Sequence, residues 1–341
     1  MTQSHNPRWK RRPSGSNWGD FGDDDEIGRL NLMTAAKVRQ AVGEVVEGLS
    51  FCLSLPLDLP GGRNGSRRPP AMFATGDPSA PNMNRALSAD VAGASDIMCD
   101  DGVTLALQYS TQWDGLCHIG YEFDAGENGA KEIFYYNGWR AGEDIRPHGS
   151  GPEAGGARRL GIDKIAMARV QTRGVMIDLE RHFGAVRRAI GFQELSEVMT
   201  AQDVRPEPGD IICLHTGYGR ALVAMNGEPD RDRLREIGLE LDGRDPALLE
   251  WITRSGLIGI AADNPTVETI RPSSGATKTT PLLPLHRHCL FKLGVLLGEY
   301  WWLTDLAEAL AERNRSAFLL TAPPLRLPGA AGSPLTPIAT I

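Results

Sequence analysis

The sequence lacks the features that mark several large classes of protein. It contains no apolar run of about 18 residues, so we expect no transmembrane helix and no membrane partner. The N-terminus is polar and has no apolar core, so we expect no signal peptide and a cytoplasmic location. The five cysteines form no Cys-x-x-Cys pair, and an odd number of thiols is typical of a reducing compartment.

The charge balance and the missing glycine-rich motifs argue against two further classes. The formal net charge is −7, whereas a nucleic-acid-binding domain presents a basic face, so we expect no nucleic-acid partner. The one basic cluster, at residues 8–12, lies in the N-terminal arm. The sequence has no P-loop and no Gly-x-Gly-x-x-Gly between a strand and a helix, so we expect no nucleotide cofactor.

What is present is the composition of a globular protein, with 41% hydrophobic and 23% charged residues. Residues 1–17 are polar and contain Gly, Ser and Pro, and we predict a flexible arm there. Residues 18–341 are predicted to form a single α/β domain. Apolar runs that end in polar residues predict buried strands at 172–179, 211–218, 257–262 and 295–299.

Two helix starts are indicated by capping residues. Asp245 precedes Pro246, which is typical of an N-cap and the first helical position, and Gly256 is expected to end that helix. Thr34 is the corresponding N-cap candidate for a helix predicted over residues 35–47.

The polar segment at residues 108–118 carries the strongest sign of chemistry. It follows a strand-like run at residues 103–107, and side chains of equal parity share one face of an extended chain. The residues on that face are Gln108, Ser110, Gln112 and Asp114. A turn at Asp114-Gly115 could bring His118 to the same side. A carboxylate, an imidazole and two amides then suffice for a metal site or an acid/base pair, although such a group also occurs as an ordinary structural feature.

The same segment resembles a known family. Residues 111–118 read Thr-Gln-Trp-Asp-Gly-Leu-Cys-His, and Tyr-Asn-Gly follows at residues 136–138. This resembles a longer-chain branch of the metal-dependent cyclase/hydrolase family, which includes bacterial kynurenine formamidase and isatin hydrolase. The family hallmark is His-x-Gly-Thr-His-x-Asp-x-Pro-x-His. The residues that match it are Thr111, Asp114 and His118, while Gln108 and Gln112 stand where the hallmark has histidine ligands.

The resemblance runs from about Trp18 to the C-terminus and implies a fold. This is the swivelling β/β/α (cyclase-like) fold, with a mixed, largely buried sheet or barrel flanked by helices. It also implies a homodimer or homotetramer and a small-molecule substrate, with long loops at 58–90 and 121–150 closing the site.

The resemblance further implies a divalent metal ion, Mn²⁺ or Zn²⁺. The candidate ligands are Gln112, Asp114, His118, His286 and Glu299. His286 is preferred over His288 as the downstream histidine. Because glutamine is a weaker and harder donor than imidazole, three outcomes stay open: a harder ion such as Mn²⁺, weak binding, or no metal.

Six further residues are candidates for binding or orienting the substrate. They are Trp113, Tyr136, Asn137, Phe73, Asp263 and Glu268. The aromatic residues could line a pocket for a flat substrate or simply pack, and Phe73 could anchor its loop onto substrate or core. Asp263 and Glu268 resemble positions that orient the metal ligands in the family, or they are polar residues of loops that follow a strand.

These expectations converge on hydrolysis. The resemblance implies that metal-activated water opens an amide, imide or lactone bond of a small cyclic substrate, in the manner of kynurenine formamidase. His118 would act as general base and then as general acid. The alternatives are an acid/base cyclase or dehydratase acting on a polyketide-like or aromatic compound, and a metal-free binding protein of the same fold.

Overall fold

The computed structural model describes residue 6 and residues 8–149, 155–270 and 281–341. Its centre is a nine-stranded mixed sheet that curls into a half-barrel and is flanked by helices. In chain order the strands are β1 (Ser50–Cys52), β2 (Gln112–Asp114), β3 (Gln171–Asp178), β4 (Ile211–His215), β5 (Gly259–Ala262), β6 (Leu296–Glu299), β7 (Ala317–Thr321), β8 (Gly332–Pro334) and β9 (Ile338–Thr340).

The order of strands across the sheet is β1-β9-β7-β3-β4-β5-β6-β2-β8. The four central strands β3, β4, β5 and β6 are parallel, and the outer strands pair antiparallel. Parallel strands are covered on both faces, which explains why their sequences are continuous apolar runs. The predicted α/β fold with a mixed, largely buried sheet is confirmed.

Helices connect the strands and cover the sheet. They are α1 (Ala35–Val42), α2 (Ile162–Ala168), α3 (Leu179–Phe183), α4 (Phe192–Ala201), α5 (Tyr218–Val223), α6 (Arg231–Glu236), α7 (Pro246–Ser255), α8 (Pro284–His286) and α9 (Thr304–Glu312). A π-helix, Arg287–Leu293, continues α8, and short 3-10 turns occur at Gly28–Leu32, Leu87–Ala89 and Tyr136–Gly138. None of the helices in the described ranges has the length and apolar character needed to span a bilayer.

Small two-stranded sheets lie outside the central sheet. They pair Ala71–Ala74 with Asp101–Thr104, Gly76–Asp77 with Ala80–Pro81, Arg85–Ala86 with Ile97–Met98, Tyr121–Phe123 with Glu132–Phe134, Ile145–Arg146 with Gly156–Ala157, and Arg187–Ile190 with Gly238–Leu241. Most of them belong to the long segments that were expected to be loops around the site.

The capping residues act as predicted, with one helix shorter than expected. Asp245 accepts a hydrogen bond from the Ala247 amide at the start of α7, and Gly256 ends that helix with φ of 71°. Thr34 caps α1, but α1 stops at Val42 and not at residue 47. The amide of Gly43 bonds back to Arg39 and Gln40, and the chain then turns toward β1.

The segment before β2 differs from its prediction. The strand expected at residues 103–107 covers Asp101–Thr104 instead and pairs with Ala71–Ala74, away from the central sheet. A turn follows, in which the Tyr109 amide bonds to the Ala106 carbonyl at 3.0 Å. The parity argument therefore holds inside β2, from Gln112 to Asp114, but does not extend back to Gln108 and Ser110.

The described part of the N-terminal arm lies against the domain. Trp9 packs edge-on against Trp18 with ring centroids 5.5 Å apart, and the Arg8 guanidinium lies 3.8 Å from the Trp139 ring centroid. Residues 1–5 and 7 of the predicted flexible arm lie outside the described residues, and the division at residue 17 stays a prediction.

A buried ion-pair network joins α1 to the sheet. Asp210, which is fully buried immediately before β4, accepts from the Arg173 guanidinium at 2.7 and 3.1 Å and from Lys37 at 3.0 Å. The Glu207 amide donates to the same carboxylate at 2.7 Å. One buried carboxylate thus neutralises two cations from different elements.

We expect Asp210→Ala to lower the free energy of unfolding by about 3–5 kcal/mol, because it removes the fully buried carboxylate that Lys37 and Arg173 share and leaves these cations with the more exposed Glu207 and Glu44. Urea denaturation followed by circular dichroism measures the change. The matched control is Glu250→Ala, which removes an exposed ion pair to Arg254 on α7 and should cost less than about 1 kcal/mol. Equal effects of the two substitutions would contradict a structural role for the network.

Candidate metal centre

Two neighbouring strands and one helix bring the centre together. Asp114 ends β2, Glu299 ends β6, and His286 ends α8. In the antiparallel register between β6 and β2, Glu299 lies opposite Gln112 and Leu297 lies opposite Asp114. Directly opposed residues point to the same face of a sheet, and so do residues two apart. Glu299, Gln112 and Asp114 therefore share one face, and α8 lays His286 over it.

Ligand atoms of Asp114, His286 and Glu299 all lie within 4.8 Å of one another. His286 Nε2 is 3.3 Å from Glu299 Oε1 and 3.7 Å from Asp114 Oδ2. All three residues are buried, with at most 4% of any of them exposed. One imidazole and two carboxylates are a typical donor set for a catalytic divalent ion, with positions left for water or substrate.

Glu268 sets the orientation of His286. Its carboxylate accepts from His286 Nδ1 at 2.8 Å and from the backbone amides of Leu285 and His286 at 2.8 Å each. Because Nδ1 donates to Glu268, Nε2 is left to face Asp114 and Glu299. His288, the other candidate histidine, lies elsewhere and bonds to the Thr253 hydroxyl at 2.9 Å. Burial lowers the pKa of His288 to about 4.

Gln112 contacts two members of the centre. Its Nε2 donates to Glu299 Oε2 at 2.9 Å and to Asp114 Oδ1 at 3.2 Å. Two buried oxygens remain without a hydrogen-bond partner, Gln112 Oε1 and Asp114 Oδ2. Buried polar atoms in folded proteins are nearly always paired. Unpaired oxygens beside a buried imidazole and a second carboxylate fit a site for a cation.

The electrostatics of the centre support the same fit. Burial and the charge of Asp114 raise the pKa of Glu299 to about 7. Burial alone would raise the pKa of Asp114, but the neighbouring His118 and His286 outweigh it and lower that pKa. Burial opposes a charge on His286, yet the nearby carboxylates of Asp114, Glu268 and Glu299 raise its pKa. A divalent cation would relieve the repulsion between the two carboxylates.

His118 lies at the edge of this group. The predicted turn is present, with the His118 amide bonded to the Gly115 carbonyl at 2.9 Å. His118 Nε2 is 3.7 Å from Asp114 Oδ1, and its ring centroid is 6.5 Å from that of His286. About a fifth of its side chain is exposed, so it is the most accessible imidazole here. Burial lowers the pKa of His118 despite the charge of Asp114, which favours the neutral, proton-accepting form.

Several residues predicted to bind substrate have other contacts. Trp113 points to the opposite face of β2, is fully buried, and donates to the Ala322 carbonyl at 2.8 Å. Tyr136 donates to Asp25 at 3.0 Å, and the Asn137 amide donates to the carbonyls of Gly22, Asp23 and Asp25. These two residues hold the N-terminal segment in place.

The two remaining candidates also lie apart from the cluster. Phe73 is about half exposed on the small sheet formed with Asp101–Thr104. Asp263 is buried and accepts from the Thr216 amide and hydroxyl and from the amides of Gly217 and Gly219, at the start of α5. Its contacts stabilise that turn and do not reach Asp114, His286 or Glu299.

Arg67 was not predicted and acts on the centre. Its guanidinium donates to the Gln108 carbonyl at 2.5 Å, and its positive charge acts on Asp114, His118 and Glu299. Within the described ranges Arg67 forms no ion pair with a carboxylate. No local pattern could have identified it, because residues 58–90 contain several arginines among Gly, Pro and Asn.

Known proteins share this architecture. The sequence profile of a family described as putative cyclases matches residues 51–269, more than half of the chain. A crystal structure described as a novel cyclase is 31% identical, with a TM-score of 0.75 over 96% of this chain and 99% of that one. No match was found among curated protein sequences.

Two isatin hydrolases have the same fold at low sequence identity. Isatin hydrolase A from Labrenzia aggregata is 13% identical, with a TM-score of 0.54 over 88% of this chain and 94% of that one. The enzyme from Ralstonia solanacearum is 13% identical, with a TM-score of 0.52 over 89% and 95% of the two chains. With the family profile and the 31%-identical structure in agreement, the chain belongs to the cyclase family.

Proposed function

We propose that the chain is a metal-dependent hydrolase that opens an amide, imide or lactone bond of a small cyclic substrate. The observation that carries the proposal is the buried group of Asp114, His286 and Glu299, in which Asp114 Oδ2 has no hydrogen-bond partner. Kynurenine formamidase-like specificity belongs to the same proposal. The fold shared with the isatin hydrolases supports a hydrolase as the class of enzyme.

Asp114, His286 and Glu299 would hold the ion, with Gln112 bridging the two carboxylates. When bound, a divalent ion such as Mn²⁺ or Zn²⁺ supplies a Lewis acid for the substrate carbonyl and lowers the pKa of water at the centre. Glu268 keeps His286 Nε2 directed at the centre. This positioning is what the chain itself contributes to binding the ion.

His118 moves the proton. Its Nε2 takes a proton from the attacking water while the water oxygen bonds to the substrate carbonyl carbon. The C–N or C–O bond then breaks, and His118 returns the proton to the leaving nitrogen or oxygen. Asp114, 3.7 Å away, stabilises the imidazolium between these two transfers. The product carries a carboxylic acid, which loses the second water proton to solvent, and an amine, a carboxamide or a hydroxyl when the substrate is an amide, an imide or a lactone, respectively.

The assembly and its surroundings belong to the proposal as well. We propose a cytoplasmic homodimer or homotetramer that acts on a small molecule, with neither nucleic acid nor membrane as a partner. Size-exclusion chromatography with light scattering distinguishes the dimer from the tetramer.

We expect chelator-treated protein to bind about one equivalent of Mn²⁺ or Zn²⁺ and His286→Ala to lose this binding, because the imidazole is removed from the donor set. Isothermal titration calorimetry measures the affinity. His288→Ala is the matched control, since that histidine lies two residues along the chain and outside the cluster. Asp114→Asn, which keeps the shape of the side chain, provides a second test should His286→Ala fold poorly.

Metal binding that survives both His286→Ala and Asp114→Asn would contradict the proposed centre. If the native protein binds no divalent ion, the metal-dependent mechanism is wrong, and acid/base chemistry by His118 and Asp114 is left.

We expect His118→Asn to reduce kcat by roughly 10²–10⁴-fold with metal affinity retained, because it removes the general base and acid. The assay uses whichever member of a panel of lactones, cyclic imides and N-formyl amines the native enzyme hydrolyses. A parallel loss of metal would identify His118 as a ligand. Unchanged turnover would show that His118 takes no part in catalysis.

A further inference from the structure

An arginine-lined cavity of about 450 Å³ opens beside the proposed metal centre. Its walls come from the loop at residues 60–64, from α6, and from residues that follow the central strands, including Tyr300. Cavities of this size commonly hold small organic ligands. No contact described above uses this cavity.

Its charged lining is strongly one-sided. The basic residues in its wall are Arg63, Arg187, Arg231 and Arg235, and the acidic one is Glu240. The cavity wall is thus positively charged, although the chain as a whole has a formal net charge of −7. A concave wall of one charge sign attracts ligands of the opposite sign.

The side chains of three of these arginines, Arg187, Arg231 and Arg235, have described contacts, and the ion pairs among these contacts leave a net positive charge in the wall. Arg187 donates to the Arg235 carbonyl at 2.7 Å and lies 3.7 Å from Glu240. Arg231 donates to the Arg63 carbonyl. Arg235 pairs with Asp232 on its own helix, and Arg63 forms no ion pair within the described ranges. A guanidinium group can bind a carboxylate or a phosphate through two parallel hydrogen bonds.

Apart from Asn64 and Thr266, the uncharged part of the wall is mostly apolar or aromatic. It includes Leu234, Ile237, Ile270, Pro265 and Tyr218. Inorganic phosphate would leave this surface uncovered, whereas an organic anion would place its carbon skeleton there and its charged group on the arginines. The lining therefore favours an organic anion over inorganic phosphate.

The cavity adjoins the metal centre through Tyr300. Tyr300 follows Glu299 directly in sequence, and its hydroxyl accepts from Asn64 Nδ2 at 3.2 Å. Asn64 and Arg67 exchange backbone hydrogen bonds of 3.0 Å, and Arg67 acts on the centre itself. One loop thus lines the cavity and contributes a positive charge to the catalytic group.

We propose that this cavity binds the carboxylate of a small organic anion and that the substrate of the metal centre is such an anion. The claim about the substrate rests on the proposed hydrolase function, whereas the claim about the cavity does not. Arg63, Arg231 and Arg235 bind the carboxylate, and the apolar wall receives the carbon skeleton.

The test is titration of phthalate, an aromatic dicarboxylate, into chelator-treated protein at constant ionic strength, followed by calorimetry. We expect binding at millimolar or lower concentration and about a tenfold loss in Arg231→Gln and in Arg235→Gln, because each removes a charge-assisted hydrogen bond. Arg233→Gln is the matched control. It removes the same charge from the same helix outside the cavity, and its affinity should stay within about twofold of the native value.

Inorganic phosphate and neutral phthalamide complete the titration. Tighter binding of phthalate than of either inorganic phosphate or phthalamide supports the proposal. The proposal would be overturned if phosphate binds as tightly as phthalate or more tightly, or if the native protein binds no phthalate. It would also be overturned if Arg233→Gln and Arg235→Gln lower the phthalate affinity equally. Circular dichroism and thermal unfolding of the three variants verify that each of them is folded like the native protein.

The claim that the substrate is an organic anion is tested separately from the hydrolase function. Among hydrolysed members of the lactone and imide panel, carboxylate-bearing compounds should have a higher kcat/KM than their methyl esters, and Arg235→Gln should narrow the difference mainly through KM. Equal kcat/KM values for acid and ester would overturn it. Phthalate binding without hydrolysis of any panel member would overturn the hydrolase proposal and the anionic substrate while the anion-binding cavity stands.

Discussion

The proximity of two buried carboxylates is the constraint on which the rest of the structure depends. Asp114 and Glu299 end neighbouring strands on one face of the sheet, with His286 Nε2 within 3.7 Å of both. Such an arrangement is unfavourable unless cations and hydrogen-bond donors surround it. The structure supplies His286, the Gln112 amide and the positive charge of Arg67.

The opposite face of the same strands keeps the carboxylates in register. Trp113 and Trp301 pack there with ring centroids 4.8 Å apart, and the Trp301 indole donates to the Gln112 carbonyl at 3.2 Å. Gly298 lies between them. A Cβ at Gly298 would stand 2.7 Å from Trp301 Nε1 and 2.8 Å from a Trp113 ring carbon, so a larger residue would push the strands apart. Tight aromatic packing on one face thus fixes the polar group on the other.

Two adjoining regions of the molecule carry opposite charge. The two carboxylates of the metal centre suit a cation, whereas the arginine-lined cavity beside it suits the proposed organic anion. Hydrolysis of an amide or lactone creates a carboxylate, so a positive wall beside the proposed metal centre is compatible with both an anionic substrate and the product. Tyr300 links the metal centre to the cavity, because it follows Glu299 directly in the chain and lines the cavity wall.

The sequence by itself determined the central strands, some helix boundaries and part of the site. Apolar runs gave the buried central strands, Asp245 and Pro246 gave the start of α7, and the polar alternation within β2 placed Gln112 and Asp114 on one face. These features depend on neighbours within a few residues. The motif resemblance gave the family and the fold, and it pointed to Asp114, His286 and Glu299 among a larger set.

Only the tertiary structure decided which candidates meet. His286 and His288 lie two positions apart on one helical segment, and the sequence does not distinguish their roles. In the fold their side chains point in different directions, His286 to Glu268 and the centre and His288 to Thr253. Trp113, Tyr136 and Asn137 belong to the motif, yet their contacts are with the core and the N-terminal segment. Arg67 and the four cavity arginines carry no local signal. Their positions depend on long loops and on contacts between residues far apart in the chain, which no short-range periodicity encodes.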